Sequence, residues 1–252
     1  MKFHFHASHN PRPQEAYREL TERYGQHDLD QADVIVVLGG DGAMLRALHS
    51  FTDIDLPIYG LNLGTLGFLL NEYKKRDLVE RIGEAEKYDI HPLRMEATDL
   101  NEQVYTKLAY NEVSLLRETH SSAKIMVFVN DEVRIPLLVC DGIMLCTAVG
   151  STAYNSSAAG PIIPLSSNVL PLTPISAFRP RRWPGALLPN TSKVRFEIIR
   201  PTERPVSVSA DAAEIRDIKA VDVSEARDIS VTLMFDPDNH LEERIYQEQF
   251  AP

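Results

Sequence analysis

The chain has 252 residues, 44% of them hydrophobic and 25% charged, an ordinary globular composition with ample material for one large core or two modest ones. A formal net charge of −10 argues against a general nucleic-acid or anionic-membrane binder, so a polyanionic ligand must be held by glycine turns, helix ends and a few arginines. No run approaches the ~20 apolar residues of a membrane span and no signal-peptide pattern opens the chain. Its two cysteines, Cys140 and Cys146, lie in apolar surroundings and read as reduced core thiols, so a cytoplasmic protein is expected.

Residues 2–8 alternate, with Phe3 and Phe5 on one side and His4 and His6 on the other. This reads as a strand with an exposed histidine face, rather than a metal site made with His9, because no carboxylate or cysteine lies near in sequence. Residues 13–24 read as a helix with proline in its first turn and Gly25 at its end. The stretch ADVIVVLGGDGAMLRALHSF, residues 32–51, organises the rest of the chain. A continuous apolar strand (34–38) suits a parallel sheet covered on both faces, and it runs through Gly39-Gly40-Asp41-Gly42 into a helix over 43–51. Glycines let a ligand approach the main chain, and a helix start offers unpaired N–H groups to phosphate. Asp41 is out of place at an anion site unless it holds a metal or takes a proton from an attacking hydroxyl. As an alternative it is a turn residue or helix N-cap. Arg46 points away from the helix's apolar face of Met44, Leu48 and Phe51 and joins the candidate binding residues. A strand over 57–61 leads into a second glycine turn, Asn62-Leu63-Gly64-Thr65-Leu66-Gly67-Phe68-Leu69, and a helix covers 76–86. Two glycine turns at neighbouring strand ends make the crevice where open α/β sheets bind nucleotides.

After about Leu93 the texture becomes β-rich. Strands are expected over 104–116, 124–129, 133–139, 143–148, 193–199, 206–209, 220–223 and 229–235, with Asn130-Asp131 a hairpin turn. They read as an antiparallel sandwich or layered sheets. The proline-rich segment 161–189 reads as ordered loop, and 241–250 as a helix that returns to the first domain. The expected domains are 1–94, a nucleotide-binding α/β unit joined by 238–252, and 95–237, a β-rich unit.

Three groups in the second half carry chemistry. Asn111 offers donor and acceptors to an adenine edge or amide, and Glu112 offers oxygens to ribose hydroxyls; otherwise they are a polar pair at a strand end. The segment Gly150-Ser151-Thr152-Ala153-Tyr154-Asn155-Ser156-Ser157-Ala158-Ala159-Gly160-Pro161 suits close packing of a ring and sugar, or is a turn into a small-residue helix. Asp141-Gly142 divides two apolar strand segments; its carboxylate needs a partner if buried, and a turn is the alternative.

Taken together, Gly39-Gly40-Asp41-Gly42, the Asn62 glycine turn, Asn111-Glu112 and Gly150-Ser-Thr-Ala-Tyr-x-x-Ser resemble the NAD kinase family, in that family's order. The diglycine-Asp-Gly turn alone is shared with diacylglycerol and sphingosine kinases and phosphofructokinases; the Thr-Ala-Tyr segment singles out NAD kinases. The resemblance implies a Rossmann-like N-terminal domain, a β-rich C-terminal domain and a returning C-terminal helix. It also implies transfer of the γ-phosphoryl of ATP to the 2′-hydroxyl of NAD's adenosine ribose, with Mg²⁺ or another divalent cation entering with ATP. Position by position, Asp41 matches the catalytic aspartate and Gly42 lines the same turn. Asn111 and Glu112 match residues binding the adenosine half, and Thr152, Ala153, Tyr154 and Ser157 match the adenine-binding segment. Asp141 and Ser176 fall toward the nicotinamide half. A homodimer or homotetramer is implied, with no nucleic-acid or membrane partner. No metal ligands are assigned. Two departures stand out: Ala159-Gly160 replaces a glycine pair, and Phe178-Arg179-Pro180-Arg181-Arg182-Trp183-Pro184 replaces a His-Ser-Leu run. The second offers arginines for ATP phosphates or a neighbouring subunit, unless it is a solvated loop. A lipid kinase sharing the glycine turn and a non-catalytic NAD-binding regulator are the alternative functions.

Overall fold

The computed structural model describes residues 1–65 and 67–237. They fall into two units, Met1–Ile90 with residues 229–237, and His91–Asp228. The helix expected over 241–250 and its return to the first domain lie outside the described residues.

The first unit is built on a six-stranded sheet. Strands Phe3–Ala7, Val34–Gly39 and Ile58–Asn62 are parallel neighbours, and every residue of Val34–Gly39 is buried. Helices Pro11–Tyr24 and Asp41–Ser50 connect them. Pro13, Ala16 and Leu20 form the buried stripe of the first helix, and Ala16 and Leu20 pack with Phe3, Phe5, Val34, Val36 and Leu38. Gly25 ends that helix at φ 78°.

Two elements depart from expectation here. Strand Val231–Phe235 belongs to this sheet, parallel to Ile58–Asn62, and not with the antiparallel strands of the second half. The expected helix over 76–86 is shorter, Leu78–Glu84, and Glu86–Ile90 is an edge strand antiparallel to Val231–Phe235. Its charged sequence EKYDI hides it from a hydrophobic pattern, as edge strands often do. A buried polar cluster ties the unit together: Asn71 donates to the carbonyls of Gly60 and Met234 and accepts from the Asp236 N–H. Asp236 in turn receives the Tyr59 hydroxyl at 2.5 Å and pairs with Arg81.

The second unit is a sandwich of two six-stranded antiparallel sheets. One runs in the order Glu132–Cys140, Ala123–Val129, Val194–Ile198, Ile218–Glu225, Leu93–Asp99, Val104–Ala109. The other runs Ala186–Pro189, Val169–Ile175, Gly142–Cys146, Glu112–Arg117, Val206–Ala210, Ala213–Ile215. Alternate residues of both, among them Met95, Ile125, Phe196, Leu115, Leu145 and Val208, form one core. Asn130 and Asp131 both take positive φ (52° and 63°), the backbone of the expected hairpin turn.

The single strand expected over 104–116 is two strands in different sheets, broken at Tyr110-Asn111. The segment 161–189 is not simply loop, for it contains Val169–Ile175 and Ala186–Pro189. Pro171 and Pro174 sit inside a non-edge strand because its neighbours are staggered. Only residues 169–172 pair on one side and 172–175 on the other, so Leu172 alone is paired on both. Each proline thus borders a single neighbouring strand, where a missing N–H is tolerated.

Candidate functional site

Gly40 caps the helix Asp41–Ser50 in extended backbone (φ −118°, ψ −171°), and its carbonyl receives the Ala43 and Met44 N–H groups. Asp41 is therefore the first helical residue, two positions earlier than the sequence pattern starts the helix. Its carboxylate accepts the Leu69 N–H at 3.0 Å on one oxygen and the Phe68 N–H at 3.2 Å on the other. The second glycine turn thus holds the side chain of the first, a link between residues 27 and 28 positions apart.

The glycines of this region differ in what they accommodate. A Cβ on Gly39 would lie 2.5 Å from the Ala43 Cβ, so close helix–strand packing requires glycine there, and one on Gly60 would lie 2.4 Å from the Met44 Cε, the end of a side chain that would have to shift. Among the described residues a Cβ on Gly42 would meet Arg46 Nη1 alone, at 3.8 Å. Nothing among the described residues demands glycine there, and Gly42 is exposed. Arg46 is exposed on the same helix, and its charge reaches His6, whose imidazole is pushed below its usual range by burial, then by His4, Arg46 and His9. The histidine face of the first strand is not open, since Phe51 stands edge-on to His4 and His6, and His4 Nδ1 is 2.9 Å from the His27 carbonyl. Among the described residues no three His, Cys, Asp or Glu side chains converge as a protein-made metal site needs.

In the second unit the Asn111-Glu112 pair stands at the break between the two strands. Asp211, which the sequence pattern does not single out, lies in the turn between Val206–Ala210 and Ala213–Ile215. Its carboxylate accepts the N–H groups of Tyr110 (2.7 Å), Asn111 (3.0 Å) and Glu112 (3.2 Å). Thr147 holds the carbonyl side: its N–H reaches the Asn111 carbonyl at 2.9 Å, and its hydroxyl reaches that of Tyr110 at 2.6 Å. Glu112 Oε2 is buried with no hydrogen-bond partner among the described residues. Burial first, and the Asp211 charge second, push the Glu112 carboxyl up to about 7. An orphaned, buried carboxylate oxygen costs folding free energy unless a ligand donates to it.

The Gly-Ser-Thr-Ala-Tyr segment packs directly onto this pair. A Cβ on Gly150 would lie 2.1 Å from the Asn111 carbonyl oxygen, so only glycine fits. Val149–Thr152 forms a 3₁₀ turn and Tyr154–Ser157 a single helical turn. Two buried side chains brace them: Ser151 bridges the Ala148 carbonyl and the Ile163 backbone, and Asn155 reaches the Ser151 and Pro161 carbonyls and the Thr173 hydroxyl. Thr152 and Ala153 are half-buried, while Tyr154 and Ser157 are exposed. Ala159 adopts φ 59°, so the alanine takes the left-handed backbone that favours glycine, without abolishing the turn. Asp141 finds its partner in Arg117 (2.6 Å) and lines an open cleft of about 490 Å³ together with Tyr154 and Ile175. Ser176, at φ 49°, follows Ile175 directly. Of the Arg-rich segment, Phe178 and Arg179 bond the Val139 backbone, and Trp183 packs partly against the sandwich core. Cys140 and Cys146 are buried free thiols, and burial pushes Cys140 up to about 12.

Known proteins match this chain along most of its length. The family profile of the ATP-NAD kinase N-terminal domain matches residues 2–85, and that of the ATP-NAD kinase C-terminal domain matches residues 110–230. The NAD kinase of Caulobacter vibrioides is 52% identical over 247 residues, 98% of this chain and 95% of that protein. The NAD kinase of Hyphomonas neptunium is 49% identical over 251 residues, 100% and 98% of the two chains. Among solved structures, the yeast NADH kinase complexed with NADH superposes with a TM-score of 0.83 at 20% identity, over 100% of this chain and 88% of that one. The NAD kinase of Archaeoglobus fulgidus in complex with ATP gives 0.74 at 21% identity, over 98% of each. At those identities the two structures speak for the fold, an α/β N-terminal domain followed by a β-rich one.

Proposed function

The chain belongs to the NAD kinase family, and from that premise we propose how its residues divide the transfer of the γ-phosphoryl of ATP to the 2′-hydroxyl of NAD's adenosine ribose. It is an ATP-dependent NAD kinase; relatives at about half identity over the full length support neither a lipid kinase nor a silent regulator. Asp41 is the general base. The observation that carries this is its carboxylate, fixed through both oxygens by two amides at the head of a helix whose next residue, Gly42, leaves space for a substrate. A ribose hydroxyl is a poor nucleophile, and accepting its proton as it attacks phosphorus is worth about 10²–10⁴-fold.

Asn111 and Glu112 grip the adenosine half. The buried Glu112 Oε2 accepts a ribose hydroxyl, while Thr152, Ala153, Tyr154 and Ser157 receive the adenine ring. Asp141, fixed by Arg117, and Ser176 serve the nicotinamide half. Phosphoryl transfer is mainly a matter of alignment and neutralisation of charge. The backbone N–H groups at the head of the helix and the Arg46 guanidinium supply part of that on the donor side. Magnesium arrives as Mg·ATP, part of the substrate, since it keeps waters and phosphates as ligands and the described residues offer no protein cage. The enzyme works in the cytoplasm as a homodimer or homotetramer, with the Arg179–Trp183 segment at hand for a neighbouring subunit. Incubating the pure protein with ATP, magnesium and NAD, with diacylglycerol in parallel, tests this reading. NADP should form and phosphatidic acid should not; the reverse outcome removes the assignment.

A further inference from the structure

The Asn111-Glu112 pair owes its geometry to a residue about 100 positions away in the chain. Three consecutive N–H groups, those of Tyr110, Asn111 and Glu112, converge on the Asp211 carboxylate at 2.7, 3.0 and 3.2 Å. The Asp211 N–H returns a bond to the Glu112 carbonyl at 3.1 Å, and Asp211 itself sits at φ 49° in its turn. Three amides on one carboxylate fix successive peptide planes, and so the directions in which the Asn111 and Glu112 side chains leave the backbone. We propose that Asp211 is the positioning residue of the NAD site, a carboxylate that aims Asn111 and Glu112 at the adenosine ribose and sets the charge against which Glu112 works. This rests on the reading that Glu112 accepts a ribose hydroxyl.

A plain structural clip would make the same hydrogen bonds, so the distinguishing property is electrostatic. Among the described residues the titratable groups facing Glu112 are Asp211 and Cys146, which lies opposite it in the paired strand, and the Cys146 thiol is itself pushed above its range by burial and by Glu112. Removing the Asp211 charge leaves burial as the remaining cause of the raised Glu112 carboxyl. The acid side of the pH profile should therefore move when Asp211 is neutralised, although its carboxylate is occupied by three backbone amides.

The test is kcat/KM for NAD against pH, in the full enzyme, for the native protein and for Asp211→Asn, Asp211→Glu and Glu112→Gln. The native acid limb should lie near pH 7, where Glu112 titrates. In Asp211→Asn the limb should move to lower pH, and above it KM should rise by about tenfold while kcat stays within about threefold, the pattern of lost uniform binding. Asp211→Glu keeps the charge but displaces it by one methylene, so KM should rise with the limb unmoved. An Asp211→Asn enzyme with native KM and native limb overturns the proposal. So does failure of both Asp211 variants to fold, because the residue then serves the fold itself. If instead Glu112→Gln keeps the native KM and limb, the ribose reading of Glu112 falls first and takes the proposal with it.

Discussion

Asp41 heads a helix and has both carboxylate oxygens tied to backbone amides, whereas Glu112 heads a strand, has its own backbone tied by Asp211 and leaves Oε2 buried without a partner among the described residues. The difference matches the task proposed for each. A base must stay at one spot while a proton moves to it, so its oxygens are held directly. A binding group must present an unspent acceptor, so the fold holds the chain behind it and leaves the oxygen for the ligand. The first arrangement adds to stability, whereas the second lowers it in the free enzyme.

The largest effect expected from breaking this contrast is at Asp41. Asp41→Asn should lower turnover by at least about 10²-fold, because a carboxamide takes no proton. It should also lower stability by about 1–2 kcal/mol, since a carboxamide has one acceptor for two amide donors. Steady-state kinetics and urea unfolding read the two, and near-native turnover would remove the base assignment.

Glu112 should respond with the opposite sign in stability. Its folded carboxyl is raised from 4.5 to about 7, so the native state holds the proton more tightly than the unfolded chain. That contribution is fully present below about pH 4.5 and is lost as pH rises through about 7. Glu112→Gln does not titrate, so its stability relative to the native enzyme should grow across that window, by on the order of 1–3 kcal/mol. A constant difference from about pH 4 to about pH 8 would mean that Glu112 is not strained by its burial.

Gly42→Ala sharpens the comparison on the side of Asp41. The fold leaves space for a methyl and helical alanine is favoured over glycine, so stability should rise by up to about 1 kcal/mol. Activity should nevertheless fall by roughly tenfold, because the methyl occupies substrate space. A variant more stable and equally active would show that the space is idle. The smallest effect is at Ala159, where glycine relieves a left-handed alanine. Ala159→Gly should raise stability by about 1 kcal/mol in thermal unfolding with little change in KM for NAD, and a loss of stability would contradict the strain at φ 59°.

The glycine turn was legible in the sequence because strand, turn and helix are consecutive, and each carries its own local signature. The Asn130-Asp131 hairpin was legible for the same reason. The amides of Phe68 and Leu69 that hold Asp41, and the Asp211 carboxylate that holds Asn111-Glu112, were not, because nothing local marks a residue that acts across 27 or 100 positions. Strand Val169–Ile175 was hidden by Pro171 and Pro174, whose tolerance depends on the stagger of neighbouring strands. The pattern of Val231–Phe235 announces a buried strand but not which sheet receives it. Nothing in the Gly150–Ser157 pattern marks Asn155, yet its buried side chain braces the whole segment from within.

The division of labour between the two carboxylates is tested most directly by titrating NAD calorimetrically into Asp41→Asn and Glu112→Ala, beside the native enzyme. The dissociation constant of Asp41→Asn should stay within about threefold of native although its turnover is lost, and that of Glu112→Ala should rise by about tenfold or more. Equal weakening in both, or weakening at Asp41 alone, would contradict the account.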